Sequence, residues 1–122
     1  MKRAQPEMQI HKAIMAYLDS ALPSTVRAFH PANGGRRDAK TGAMLKALGV
    51  KPGVADIVLV RQGGVMAFIE VKAGKGSSSP AQKEWQDWCG SNGVPYAIVR
   101  SVGDVQAVLT DWNINLKSRV AA

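Results

Sequence analysis

Apolar residues along the first twenty positions recur at helical spacing: Ile10, Ile14, Tyr17, Leu18 and Ala21 fall on one stripe, which predicts a helix over residues 6–21. Pro6 suits the first helical position, Glu7 sits where the helix dipole favours an anion, and Leu22-Pro23 ends the helix. Residues 25–30 then read as a short strand, and residues 31–37 (Pro-Ala-Asn-Gly-Gly-Arg-Arg) as a flexible basic loop. Residues 38–48 have weak helical character, interrupted by Gly42 and closed by Gly49 as a C-terminal cap. The pattern then changes to continuous runs of Val, Ile and Phe. Residues 54–61 and 65–72 are the clearest strands, and Gln62-Gly63-Gly64 joins them as a tight hairpin loop.

A loop at residues 74–78 leads into a strong helix start. Ser79 is the N-cap, Pro80 takes the first position and Gln82 closes a capping box, with the helix reaching about residue 91. Asn92-Gly93 is a break and residues 96–100 are a further strand. Ser101 caps a last helix over residues 102–112, with Asp104 in its first turn. No pattern is visible in residues 113–122, which read as a fraying tail. The order of elements predicts a mixed α/β sheet covered by helices: one domain over residues 1–112 followed by a tail.

Composition narrows the class. The chain has 122 residues, 46% of them apolar, which suits one globular domain and excludes a disordered chain. No apolar run approaches the ~20 residues of a spanning helix, and no apolar segment follows Met1-Lys2-Arg3 to make a secretory signal. Cys89 is the only cysteine, so a disulfide or cysteine-based zinc site is excluded within the chain and a reducing cytoplasm is expected. Between Trp88 and Gly90, Cys89 reads as a small packing residue rather than a nucleophile.

Charge changes the picture further. The net charge is +7, and the stretch from Arg27 to Lys51 alone carries +5, with Asp38 its one acid. Clustered positive charge points to a polyanion, most often nucleic acid. His30, Asn33, Gly34, Arg36, Arg37, Lys40 and, further on, Lys75 are candidate phosphate contacts: glycines let backbone amides approach, and the side chains donate. The rival reading is a charged mobile loop. Trp85, Trp88 and Trp112 could stack on bases, but Trp85 and Trp88 are three apart in a helix and core packing is the expected role.

The sharpest signal lies in the hairpin. Asp56 sits inside Gly53-Val54-Ala55-Asp56-Ile57-Val58-Leu59-Val60, and Glu70 and Lys72 close Phe68-Ile69-Glu70-Val71-Lys72. Charged groups in apolar strands are costly unless paired, hydrogen-bonded or bound to a metal. Glu70 and Lys72, two apart on a strand, share a face. A three-residue loop pairs Arg61 with Val65, which puts Asp56 opposite Glu70; a two-residue loop would put them on opposite faces. Two facing carboxylates make a hard-oxygen site for Mg²⁺ or Mn²⁺, and an adjacent ammonium can orient water or meet a phosphate. The rival is a buried Asp–Lys–Glu ion network without a metal.

Taken in order, Gly53-Val54-Ala55-Asp56, Phe68-Ile69-Glu70-Val71-Lys72, Ser79-Pro80-Ala81-Gln82, Gly93-Val94-Pro95-Tyr96 and Val99-Arg100-Ser101 resemble the PD-(D/E)XK nuclease superfamily and, within it, the VRR-NUC branch. The resemblance spans residues 6–109 and departs from the superfamily at Ala55, where proline is usual before the aspartate. It implies a restriction-endonuclease-like α/β core and metal-dependent hydrolysis of DNA phosphodiesters. Asp56, Glu70 and the Val71 carbonyl would hold the metal, and Lys72 would position the attacking water. Glu7 would match the extra acidic residue that such nucleases carry on their first helix, its rival being a residue serving the helix dipole. Gln82 would match the helix glutamine that reaches toward the site, a role that competes with its capping box. His11, one turn beyond Glu7, could approach a phosphate, although a solvated surface histidine is the commoner outcome. By analogy the enzyme would be a homodimer acting on branched DNA such as four-way junctions, in a phage or bacterial setting in the host cytoplasm and without a membrane partner. The alternatives are a non-catalytic basic DNA-binding module, a restriction-type endonuclease and an RNA-directed nuclease.

Overall fold

The computed structural model describes residues 5–32 and 39–118. Among these residues eight elements follow in the order α1 (Gln5–Ala21), β1 (Val26–Phe29), α2 (Ala39–Ala47), β2 (Ile57–Arg61), β3 (Val65–Val71), α3 (Pro80–Ser91), β4 (Tyr96–Val99) and α4 (Val102–Asp111). The strands lie side by side as β1-β2-β3-β4, the first three antiparallel and β4 parallel to β3. The expected mixed sheet with flanking helices is the observed fold.

Strand alternation divides the core in two. Ile57, Leu59, Ala67, Ile69 and Val71 face Ile14, Leu18, Val105 and Leu109 of α1 and α4. Val58 and Phe68 face the other way and pack with Ala55 and Cys89, flanked by Trp85 and Tyr96 under α3. Cys89 is fully buried, and desolvation pushes its thiol pKa up, in keeping with a packing role. Glu70 and Lys72 alternate with Ile69 and Val71, so both belong to the α3 face.

The hairpin has the three-residue loop. Gly63 and Gly64 both take positive φ, and the ladder runs from Arg61↔Val65 to Ile57↔Ile69. One boundary differs from the pattern-based reading. β2 begins at Ile57, so residues 54–56 precede the strand and Asp56 stands at its mouth rather than inside it. The reason is Gly53, which has φ +81° and lies so close to α3 that a Cβ there would fall 2.3 Å from the Ala81 carbonyl oxygen. The chain turns against the helix before the ladder can start.

Two further expectations are corrected. The residues after α4 do not trail away over 113–118: Ile114 is only 4% exposed, the Lys117 amide donates to the Ala21 carbonyl at 2.7 Å and Tyr17 Oη donates to the Ser118 carbonyl at 3.1 Å. Docking on α1 supplies backbone partners that no local pattern encodes. Trp88 is 55% exposed, so it is not a core residue. Trp85 is the one that packs inward, edge-on against Phe68 with ring centroids 5.7 Å apart.

Gly53→Ala should destabilise the fold by about 2 kcal/mol or more, because backbone cannot yield as a side chain does. Chemical denaturation should show that loss, and Gly42→Ala, with nothing within 4 Å of the added methyl, should be neutral or slightly stabilising.

Candidate active site

The open end of the hairpin, β4 and the start of α3 meet around Glu70. Its side chain is fully buried, and a bare carboxylate there would be costly. Donors from separate elements satisfy it. Tyr96 Oη on β4 donates to Oε1 at 2.5 Å, and Ser78 Oγ, in the loop before α3, donates to Oε2 at 2.6 Å. The Lys72 ammonium lies 3.7 Å from Oε2.

Lys72 is held from its other side by Gln82, whose Oε1 accepts from Nζ at 2.9 Å. The same oxygen accepts from the Ser79 amide at 2.8 Å, while Ser79 Oγ accepts from the Gln82 amide, which completes the capping box. The expected competition between the two roles of Gln82 is therefore overturned. An amide oxygen has two lone pairs, and here each takes one donor. The helix cap and the lysine anchor are one side chain.

Asp56 directly precedes β2, where one further step of the Ile57↔Ile69 register would set it opposite Glu70, and its Oδ2 accepts from the Val71 amide at 2.7 Å. Its main chain is fixed as well: His30 Nδ1 donates to the Asp56 carbonyl at 2.6 Å. His30 in turn meets His11 edge to face, with centroids 4.7 Å apart. His11 is only 7% exposed, which corrects the solvated reading and links α1 to the mouth of β2. Glu7 lies one turn earlier on α1 and is half-buried.

The candidate phosphate contacts are distributed differently. Lys40 is exposed on α2 and Lys75 is exposed in the loop between β3 and α3. Asn33, Gly34, Arg36 and Arg37 lie outside the described residues. Sequence reasoning missed the roles of Ser78, Tyr96 and Arg100. Arg100 Nη1 donates to the Gly74 carbonyl at 2.7 Å and ties the loop that carries Ser78 to the end of β4. Ser78 carries no signal beyond its place in a polar loop. Tyr96 could have been found only from the parallel register Phe68↔Tyr96.

Among the described residues no three His, Cys, Asp or Glu side chains converge on one point. Asp56 and Glu70 offer carboxylate oxygens at the end of the hairpin, and these fit a cation such as Mg²⁺, which takes one or two carboxylates and completes its shell with water and substrate oxygen. Ser78 and Tyr96, each donating to Glu70, are the outer hydrogen bonds that ligating carboxylates characteristically receive. The phenol of Tyr96 is pushed well above the ordinary tyrosine range, first by burial, then by its hydrogen bond to Glu70 and by the nearby carboxylate charges.

A VRR-NUC domain model matches residues 12–103. A solved structure described as a VRR_NUC domain protein superposes with a TM-score of 0.70 at 19% identity, covering 93% of each chain. A second, described as a VRR_NUC domain, gives 0.61 at 17% identity over 89% of this chain and 99% of the other. No match is found among curated protein sequences.

Gln82→Ala should lower stability by roughly 1–2 kcal/mol, since it removes the side-chain half of the capping box and the lysine anchor together, whereas Gln82→Glu, which keeps an acceptor, should lose less in the same denaturation experiment. Tyr96 gives a pH signature. An unfolded tyrosine loses its proton near about pH 10 and the folded one holds it longer, so this contribution is complete below about pH 10 and declines above it. The stability difference between the natural chain and Tyr96→Phe, measured by urea unfolding, should shrink as pH rises from about 9 to 11.

Proposed function

The chain belongs to the VRR-NUC family of nuclease domains, and on that premise we propose that it is a divalent-metal-dependent endonuclease that hydrolyses DNA phosphodiester bonds, acting on branched DNA as a homodimer. The observation that carries the reading is the grouping of Asp56, Glu70 and Lys72 at one end of the hairpin, with the lysine anchored by Gln82. Asp56, Glu70 and the Val71 carbonyl would hold Mg²⁺ or Mn²⁺, with Glu7 approaching from α1. Such an ion polarises a phosphoryl oxygen and acidifies a bound water.

The protein's own groups do the remainder. The Lys72 ammonium has three donors; Gln82 takes one and the Glu70 carboxylate draws the group to one side, which leaves a donor for the attacking water or a phosphate oxygen. Holding that ammonium still is a positioning contribution to in-line attack. Arg27, Lys40, Lys46, Lys51 and Lys75 supply positive charge for the backbone phosphates on either side. Severing both strands of a junction symmetrically takes two such sites, which a two-fold dimer supplies. Among the described residues no helix is long and apolar enough to cross a membrane.

The test is a cleavage panel of linear duplex, flap and four-way-junction DNA, plus a matched RNA duplex, with Mg²⁺, Mn²⁺ or chelator. Junction cleavage should require the metal and fall roughly a hundredfold or more in Asp56→Ala and in Glu70→Ala. Cutting that persists in both variants, or binding without cutting under every metal condition, would sink the assignment. Sequence-dependent cutting of linear duplex would point to a restriction-type enzyme, and preference for the RNA duplex to a ribonuclease.

A further inference from the structure

Each oxygen of the Glu70 carboxylate has a protein donor, and the two donors sit on different parts of the fold. Tyr96 Oη meets Oε1 at 2.5 Å and Ser78 Oγ meets Oε2 at 2.6 Å. Neither donor is loosely held. Tyr96 opens β4, and the sheet fixes it there: the Phe68 amide donates to the Pro95 carbonyl at 2.9 Å, and Phe68 and Tyr96 are register partners. Ser78 immediately precedes the α3 cap, and its loop is tied by the Gly76 amide to the Ala73 carbonyl at 2.9 Å and by Arg100 to Gly74 at 2.7 Å. A carboxylate pinned at both oxygens cannot turn about its terminal bond. Each oxygen keeps unused lone-pair capacity, but in one fixed orientation.

That constraint bears on which cation the site accepts. Mg²⁺ and Mn²⁺ suit a rigid octahedral set of oxygen donors and gain from a carboxylate already oriented. Ca²⁺ takes more oxygens, in flexible geometry and with carboxylates in one- or two-oxygen mode, so it gains less from a fixed donor. We infer that Tyr96, acting with Ser78 through Glu70, is a positioning residue that sets the preference of the site for a small divalent cation over Ca²⁺. This rests on the metal-dependent reading above. The phenol touches no reacting atom; its effect passes through the orientation of Glu70.

The test is calorimetric titration of the 122-residue chain, without nucleic acid, with MnCl₂, MgCl₂ and CaCl₂. The natural chain, Tyr96→Phe, Ser78→Ala and Glu70→Gln are compared, and thermal unfolding in chelator is followed in parallel. The natural chain should bind Mn²⁺ and Mg²⁺ more tightly than Ca²⁺, and Glu70→Gln should bind none of them appreciably. Tyr96→Phe should lose about tenfold or more in Mn²⁺ and Mg²⁺ affinity but less in Ca²⁺ affinity, so that the ratio falls. A merely structural role would weaken all three ions together and leave the ratio in place. An unchanged ratio in Tyr96→Phe, with binding intact in the natural chain and lost in Glu70→Gln, overturns this inference alone. Absence of binding by the folded natural chain overturns it together with the metal-dependent reading. Should Tyr96→Phe fail to fold, Ser78→Ala acts on the opposite oxygen, and the same ratio decides the matter.

Discussion

The arrangement turns on one buried carboxylate. Glu70 has no solvent exposure, and an ionised group taken out of water costs several kcal/mol unless partners replace the lost hydration. The partners come from three places. Tyr96 belongs to β4, Ser78 to the loop before α3, and Lys72 to the end of β3. Lys72 directly follows the strand that carries Glu70, but neither Tyr96 nor Ser78 is brought to Glu70 by the β2–β3 hairpin alone. Satisfying Glu70 therefore requires the parallel docking of β4 and the folded loop, and the most polar group in the core becomes a condition on the sheet. Part of the return is specificity of arrangement: a slip of one residue in β4 would turn Tyr96 to the opposite face and leave Oε1 without this donor.

A second junction lies at the start of α3. Gln82 caps the helix and holds Lys72, while Ala81 just before it receives the backbone of Gly53 at a distance that excludes a side chain. The segment bearing Asp56 and the Lys72 ammonium are thus both referenced to one helical turn. This is how a short chain places charged groups firmly. It uses backbone contacts and cap hydrogen bonds, which are stiff, in place of long side chains, which are not. The same economy couples stability to chemistry, because one amide oxygen serves both.

Much of this was legible in the sequence where the physics is local. A three-residue loop pairs Arg61 with Val65 and so fixes the register of the hairpin down to Ile57↔Ile69, whereas spacing without the turn left two registers open. The caps at Ser79 and Ser101 follow from residue type and position, and both are formed. What escaped is non-local. Tyr96 reaches Glu70 through a parallel pairing whose register no turn dictates. His11 is buried because His30, 19 positions further along the sequence, folds back against it. Ile114 is buried because α1 lies across from it. The two roles of Gln82 were set in competition because a side chain was counted as one acceptor; its oxygen counts as two.

The distribution of charge completes the account. A buried acidic group repels a phosphodiester, and a Coulomb interaction between exposed charges weakens over about a Debye length, ~8–10 Å, so compensating positive charge has to lie nearby to be useful. The chain places much of its excess between Arg27 and Lys51, which spans β1, α2 and the approach to Gly53. Within that stretch α2 contributes no buried residue, and Met44 and Leu48 remain largely exposed. Its lysines are thus not there to support the core. The elements that do build the core, β2 and β3 with α1 and α4, hold the carboxylates instead. Val71, Ser78 and Tyr96, which donate to the two carboxylates, all lie outside that cationic stretch, which meets Asp56 through His30 at its main-chain carbonyl.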